Sequence, residues 1–283
     1  MASFTNFATL SYNGGTTNSN IVTGEILEAL TAVKTAVSAN YSAGDRITYA
    51  LSLVNTGTAA ITDYTVTDNL GGYTVGANTV YPLAYNAGTV RYYINGVLQT
   101  APTVTAGPPL TVTGLTVPAG GNAVLIYETT ATPVAPLATG NSITNTATIT
   151  GAGLTNPITA QATVETANSA DLTISKALSP TTVTENGQIT YTFVISNTGN
   201  TEATATGNVI VTDTFAPILR NIAVTYNGTA WTEGTNYTYN AATGVFTTLA
   251  GQITVPAASF TQNTDGTFTV TPGTATLVIT GTV

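Results

Sequence analysis

Along most of the chain apolar and polar residues alternate with a period of two, the spacing that sends successive side chains to opposite faces of a strand. Ile47-Thr48-Tyr49-Ala50-Leu51-Ser52-Leu53-Val54 places Ile47, Tyr49, Leu51 and Leu53 on one face. Val209-Ile210-Val211-Thr212 and Thr276-Leu277-Val278-Ile279 are similar runs, rich in β-branched residues. Turn signals punctuate them: Asn55-Thr56-Gly57, Asn95-Gly96, Asn227-Gly228 and Asp265-Gly266. Short strands bounded by turns at intervals of roughly 8–12 residues predict an all-β chain built from β-sandwiches. Glu25 to Lys34 has helical propensity, but its place in the repeat described next predicts a linker followed by a strand.

The chain repeats itself. Lys34 to Gly57 reads KTAVSANYSAGDRITYALSLVNTG and Lys176 to Gly199 reads KALSPTTVTENGQITYTFVISNTG, an offset of 142 residues at which Lys, Ile-Thr-Tyr and Asn-Thr-Gly coincide. Val66-Thr67-Asp68-Asn69 then matches Val211-Thr212-Asp213-Thr214 at an offset of 145. Pro118 to Ile126 resembles Pro272 to Ile279. Two copies of one module follow, over residues 30–168 and 169–283, after an N-terminal arm of residues 1–29.

The copies are expected to differ at one end. Module one continues past Ile126 into a hairpin: Ser142 to Thr150, a turn, then Ile158 to Val164. Module two stops after the strand that matches Ile126. Its missing hairpin has a likeness at the start of the chain: Ser3 to Ser11, a Gly14-Gly15 turn, then Ile21 to Ile26. Asn-x-Ala-Thr occurs in both, at Asn6 to Thr9 and at Asn145 to Thr148. A sandwich without its last strands exposes apolar core and an unpaired strand edge. The expected repair is complementation in trans, with the hairpin of one subunit completing module two of another. Such a contact is head-to-tail and propagates into a filament unless it closes into a ring. The residues expected at this interface are Phe4, Asn6, Phe7, Ala8, Leu10, Ile21 and Ile26 on the donor, with Leu277 and Ile279 on the acceptor. Completion in cis, or a truncated module with a frayed arm, are the alternatives.

Charge narrows the chemistry. The chain has 283 residues, of which only 5 are Lys or Arg and 13 Asp or Glu, with net charge −8 and no His or Cys. Metal centres built on His or Cys, disulfides, Cys nucleophiles and Ser-His-Asp triads are excluded. Five scattered cations make no phosphate-tracking groove, so no nucleic-acid partner is expected. No apolar run has the 18 or so residues of a membrane span, so no membrane insertion is expected. Met1-Ala2-Ser3-Phe4-Thr5-Asn6 lacks the basic start and apolar region of a signal peptide. A leader is then either already removed, or the chain leaves its compartment by another route.

Within so few charges, repetition stands out. Lys34 and Lys176 share one module position, as do Asp68 and Asp213, and Asn145 matches Asn6. One Lys, one Asp and one Asn per completed module is the set required for an isopeptide bond. Burial lowers a lysine's pKa and leaves a nucleophilic amine. The same burial favours a protonated carboxyl that can polarise the Asn carboxamide. Attack releases ammonia and leaves a Lys–Asn amide, with Asp68 and Asp213 assisting. Lys34 would join Asn145 within one chain, and Lys176 would join Asn6 of the next subunit. The ordinary alternatives are a solvated strand-end Lys, an Asp that opens a turn and an Asn that serves a bulge.

The Lys-bearing strand, Gly-Asp-x-Ile-Thr-Tyr, Asn-Thr-Gly, Val-Thr-Asp and the terminal Ile-x-Asn-x-Ala-x-Ile resemble the conserved bacterial surface repeat catalogued as domain of unknown function eleven. The resemblance covers most of residues 31–283 and the N-terminal hairpin. It implies immunoglobulin-like β-sandwiches in cell-surface, spore-surface or stalk proteins. The Lys-Asp-Asn set resembles that of pilin-like sandwiches that carry isopeptide bonds. The displaced hairpin departs from the family and is similar to what a subunit of a spore appendage or surface fibre would need.

Other chemistry is thin. Glu25 and Glu28 fall in the linker and Glu128 just past the Val124-Leu125-Ile126 strand, so no carboxylate pair faces one cleft and an enzyme is not expected. Asp and Asn are abundant in turns, which makes calcium the alternative, but no Asp-x-Asp-x-Asp-Gly run appears and no metal or cofactor is expected. Tyr85, Tyr92, Tyr93, Trp231, Tyr237 and Tyr239 follow the Val-Thr-Asp motifs, either as a platform for a glycan or surface ligand or as cross-strand fillers. The expectation is an extracellular, cell- or spore-surface fibre subunit whose partner is itself. The rival is a monomeric adhesin or glycan-binding module. The 64 threonines suit strands that face solvent and still pair well.

Overall fold

A computed structural model describes residues 2–26, 29–151 and 154–283. Glu28, expected in the linker, lies outside them. The protein is all-β: among the described residues the one helical element is the 3₁₀ turn Ala205–Gly207, and none is long and apolar enough to cross a membrane. The chain divides into two compact units, residues 1–135 with 142–165, and residues 136–141 with 166–283.

The first unit is a sandwich of two antiparallel sheets. One runs, in spatial order, Val97–Leu98, Arg91–Ile94, Asn122–Ala131, Arg46–Asn55 and Leu30–Ala36, with Leu83–Tyr85 also paired to Asn122–Ala131. The other runs Thr103–Thr105, Leu110–Val117, Ile61–Asp68, Ser142–Thr150, Ile158–Thr166 and Asn40–Tyr41. Alternation sorts the side chains as the period-two pattern requires. Ile47, Tyr49, Leu51 and Leu53 are buried from the first sheet, and Tyr64, Val66, Leu115, Ala147 and Ile149 from the second. Each fully buried Leu or Ile is worth about 1.5–3 kcal/mol, so this stripe dominates the unit's stability.

The second unit keeps the first sheet and loses part of the second. Leu172–Ser179, Gln188–Asn197, Gly273–Thr282, Arg220–Tyr226 and Thr229–Trp231 form its five-stranded sheet. Among the described residues, Thr212–Thr214, Val245–Thr248 and Tyr237–Asn240 form a three-stranded sheet, joined in the core by the isolated Ala203–Val255 bridge, with a separate hairpin of Ser259–Gln262 and Phe268–Thr271. The register aligns the repeats: Leu51 faces Leu125 and Phe193 faces Leu277, while Tyr49 faces Tyr127 and Tyr191 faces Ile279. The counterpart of Ile279 is therefore Tyr127 rather than Ile126, and the strand Asn122–Ala131 extends through Glu128.

The Asn-Thr-Gly motif does the same work in both units. Asn55 and Asn197 are buried, and the side-chain oxygen of each accepts the N–H two residues on, at Gly57 and Gly199. The Asn55 amide donates to the carbonyls of Ala59 and Pro118, and the Asn197 amide to those of Thr201 and Pro256. A side chain thus satisfies the backbone of a turn that has no ladder partner.

One expected strand is shorter than the pattern predicts. In the first unit Ile61–Asp68 spans eight residues and pairs on both sides, with Leu110–Val117 and with Ser142–Thr150. Its counterpart in the second unit begins only at Thr212 and pairs on one side, with Val245–Thr248. Val209 to Val211 precede it outside any strand, although Val211 exchanges two hydrogen bonds with Thr248. Apolar alternation gives a strand its face, but a ladder on both edges needs a second neighbour.

The N-terminal residues form an antiparallel hairpin. Ala2–Asn6 pairs with Val22–Ile26, and Thr9–Tyr12 with Gly15–Asn18. Between the two ladders Ala8 and Ser19 exchange hydrogen bonds. Neither ladder joins a larger sheet, and the side chains from Phe4 to Thr23 are all exposed. Phe4 lies on Gly24, where a Cβ would come within 2.4 Å of the ring.

Candidate functional site

The repeat brings Lys and Asp together in both units. In the first, Lys34 sits on Leu30–Ala36 and Asp68 ends the strand Ile61–Asp68, so the pair bridges the two sheets of the sandwich. Lys34 Nζ lies 2.5 Å from Asp68 Oδ2, with side-chain exposures of 0% and 1%. The Tyr49 and Tyr127 rings flank the ammonium, with centroids 4.8 and 5.8 Å away. The Tyr127 hydroxyl donates to Asp68 Oδ2, and the Leu70 N–H donates to Oδ1. Burial drives the lysine down from its ordinary 10.5 to about 8, against the attraction of Asp68. Burial and the nearby carboxylate push the Tyr49 and Tyr127 hydroxyls upward.

Asn145 completes the set. The strand Ser142–Thr150 pairs with Ile61–Asp68, with Ala147 opposite Asp68, and Asn145 is fully buried beside the Tyr49 and Tyr127 hydroxyls. Neither its amide nitrogen nor its oxygen makes a hydrogen bond of good geometry, although the carboxamide lies near enough to the Tyr49 and Tyr127 hydroxyls to oppose part of their upward shift. A buried carboxamide held without a well-formed hydrogen bond costs up to about 1–3 kcal/mol per group, which is unusual in a native core. Here it accompanies a buried amine of lowered pKa and a carboxyl bonded to that amine, the groups that amide exchange uses.

The second unit holds the same pair without its cover. Lys176 Nζ lies 2.5 Å from Asp213 Oδ2, but the side chains are 39% and 18% exposed. Tyr191, Phe193 and Phe215 surround the ammonium at 4.4, 5.4 and 5.5 Å. Ile279 stands where Tyr127 stands in the first unit, so Asp213 has no tyrosine hydroxyl from that position. The segments just N-terminal of the two partners, Leu172 to Ile174 and Val209 to Val211, line with Ile195 a largely apolar groove of about 150 Å³ that also includes Thr173.

The remaining expected interface residues divide. Phe4, Asn6, Phe7, Ala8, Leu10 and Ile21 are exposed on the hairpin, and Ile26 ends its last strand opposite Ala2. Leu277 and Ile279, expected on the acceptor, are instead fully buried in the second unit's own core with Phe193, Val224 and Phe246. The open apolar surface is the groove along Leu172 to Ile174 and Val209 to Val211. The match of Val211-Thr212-Asp213 to Val66-Thr67-Asp68 carried the signal, but only the sheet order shows that the latter pairs with the hairpin strand. Tyr49 and Tyr127 also escaped the sequence-level site. Ile-Thr-Tyr is part of the repeat, yet nothing in a linear motif says that its tyrosine flanks the lysine.

Of the six aromatics, Tyr92 and Tyr237 are buried and Tyr85, Tyr93, Trp231 and Tyr239 half-buried. Tyr226 and Trp231 stack at 4.8 Å, Tyr237 meets Phe246 at 5.2 Å, and the Tyr239 and Tyr92 hydroxyls donate to backbone carbonyls of Leu219 and Thr116. Glu128 pairs with Arg46 at 3.6 Å on the surface. Among the described residues no group of three or more acidic side chains could hold a metal ion.

No family model and no curated protein matches the chain. Solved structures similar to it include the major pilin subunit of Bacillus cereus, at 14% identity over 96% of this chain and 73% of that one, TM-score 0.36. The pilus backbone of Streptococcus pneumoniae is 14% identical over 86% of this chain and 55% of that one, TM-score 0.36. The N-terminal domain of a Streptococcus gordonii adhesin is 15% identical over 48% of this chain, which spans about a third (32%) of its length, TM-score 0.36. The structural neighbours thus include bacterial pilins and an adhesin, at scores too low to carry an assignment.

Proposed function

We propose that the protein is the structural subunit of an extracellular or spore-surface fibre, assembled head-to-tail by complementation between copies. The N-terminal hairpin of one copy completes the second unit of the next. Two observations support this: a hairpin that exposes Phe4, Phe7 and Leu10, and a strand, Thr212–Thr214, whose second edge is open where its first-unit counterpart is paired. Ser3 to Ser11 aligns with Ser142 to Thr150, which pairs with Ile61–Asp68 in the first unit. Transferred to the second unit, that register sets Ala8 opposite Asp213, Thr9 opposite Thr212 and Leu10 opposite Val211. Main-chain hydrogen bonds then supply affinity, and the apolar side chains supply specificity.

The first unit is its own completed reference. There Lys34 joins Asn145 through an isopeptide bond, with Asp68 relaying the proton. The bond ties a strand of one sheet to a strand of the other and hardens a subunit that carries tension along the fibre.

Negative-stain microscopy of the purified protein is the test, and fibres are expected. Deleting residues 2–26 leaves folded monomers; a deletion variant that still polymerises overturns the donor assignment. Monomeric full-length protein that binds a glycan array would favour an adhesin instead.

A further inference from the structure

We infer that the second unit carries an inter-subunit ligation site: Lys176 and Asp213 of one copy join covalently to Asn6 delivered by the hairpin of a second copy. The inference rests on the proposed head-to-tail assembly and adds a chemical step to it.

Two of the three reacting groups are already in place. Lys176 and Asp213 hold the 2.5 Å spacing of Lys34 and Asp68, within an aromatic wall of Tyr191, Phe193 and Phe215. The third is absent from the described part of this unit, because no strand pairs with the free edge of Thr212–Thr214. In the first unit that edge holds Ser142–Thr150, which brings the Asn145 carboxamide into the core. Asn6 takes the place of Asn145 in the register that sets Ala8 opposite Asp213. In the free hairpin Asn6 is exposed, next to Phe4 and Phe7, whose rings have no core of their own to enter.

The site is therefore inactive until assembly. In the lone subunit Lys176 is 39% exposed, and water screens and solvates the ion pair. Docking of the hairpin covers the groove and removes that water. Desolvation then favours the neutral pair, with the proton passed from Nζ to the Asp213 carboxylate. The amine attacks Cγ of Asn6, and a new C–N bond forms as the Cγ–Nδ2 bond breaks. The departing Nδ2 takes up the proton that Nζ sheds on attack together with the one held by Asp213 and leaves as ammonium, and Asp213 returns to its starting carboxylate. No oxidant, reductant or cofactor enters the balance. Chain elongation and ligation are coupled because the donor strand is also the substrate.

Assembled protein boiled in SDS provides the test. Wild-type fibres should run as a ladder of covalent multimers, whereas Asn6→Ala and Lys176→Ala fibres should collapse to monomers. Asp213→Asn should slow ladder formation by at least tenfold. Copolymers of isotopically light and heavy subunits should yield a cross-linked peptide that pairs Lys176 from one population with Asn6 from the other. Fibres that form and fall wholly to unmodified monomers in SDS overturn the ligation while leaving assembly intact. A Lys176–Asn6 bond found only within single chains also overturns it. If wild-type protein forms no fibres, the assembly itself is wrong and the ligation falls with it.

Discussion

Lys176 reaches Asp213 at the same 2.5 Å that separates Lys34 from Asp68, yet its side chain is 39% exposed where that of Lys34 is fully buried. The same two residues at the same repeat position thus occupy two environments. The difference lies in the strand that covers them. Ser142–Thr150 lies along Ile61–Asp68 in the first unit, and no described strand lies on that side of Thr212–Thr214 in the second.

The first prediction concerns the intact mass. The purified protein should weigh one ammonia less than its sequence, and Lys34→Ala or Asn145→Ala should restore the full mass. Closing a loop of roughly a hundred residues is worth about 4–5 kcal/mol by chain entropy alone, so either variant should unfold at clearly lower denaturant. An unchanged wild-type mass rules out the bond in the first unit.

The second concerns pH. In Asn145→Ala, Lys34 keeps a free amine whose folded pKa is about 8, against 10.5 when unfolded. Between those values the unfolded chain binds more protons than the folded one, so stability rises as pH rises through the window. Below about pH 8 the full cost of burying the charge is present. The gain should be on the order of 3 kcal/mol. Urea midpoints at pH 7.5 and 10 measure it, and Lys34→Met/Asn145→Ala should lose this rise.

A third prediction targets the groove. Ile210→Asp places a carboxylate on an exposed residue of the open edge and should block fibres while leaving the monomer folded, because the donor would have to bury an unpaired charge. Val97→Asp, on an apolar residue of the first unit that is more exposed still (63% against 51%), should assemble normally. Equal assembly of both variants under the microscope would place the acceptor elsewhere.

The fourth fixes the register. The chain contains no cysteine, so Thr9→Cys/Thr212→Cys introduces the sole thiols. A disulfide-linked ladder should appear on oxidation of fibres and be absent from monomers. Ladder formation by Ala8→Cys/Thr212→Cys in preference to it would mean a slip of one residue.

A fifth prediction tests the repeated turn. Asn55→Ala and Asn197→Ala each strip a buried turn of several hydrogen bonds and should cost about 2–4 kcal/mol in urea unfolding. A loss below 1 kcal/mol would show that water replaces the amide.

Strand content and the repeat were legible because both leave linear marks. Alternation at Ile47 to Val54 declares a face, and Asn55-Thr56-Gly57 with Asn197-Thr198-Gly199 declares a turn twice. The Lys–Asp pairs that meet in both units were legible for the same reason, since recurrence in a chain with 18 charged residues is itself a signal. The proposed acceptor edge was not legible. Leu277 and Ile279 carry the apolar alternation of an interface strand and also that of a core strand, and the structure makes them core.

The sequence by itself therefore determined the β-sandwich class, the two-fold repeat and the identity of the recurring ionisable groups, because these follow from spacing along the backbone. Only the tertiary structure decided which recurring pair is buried, which tyrosines enclose it and which edge stands open. Those depend on the order of strands within a sheet. Strand order comes from contacts between residues far apart in the chain, and no local spacing records it.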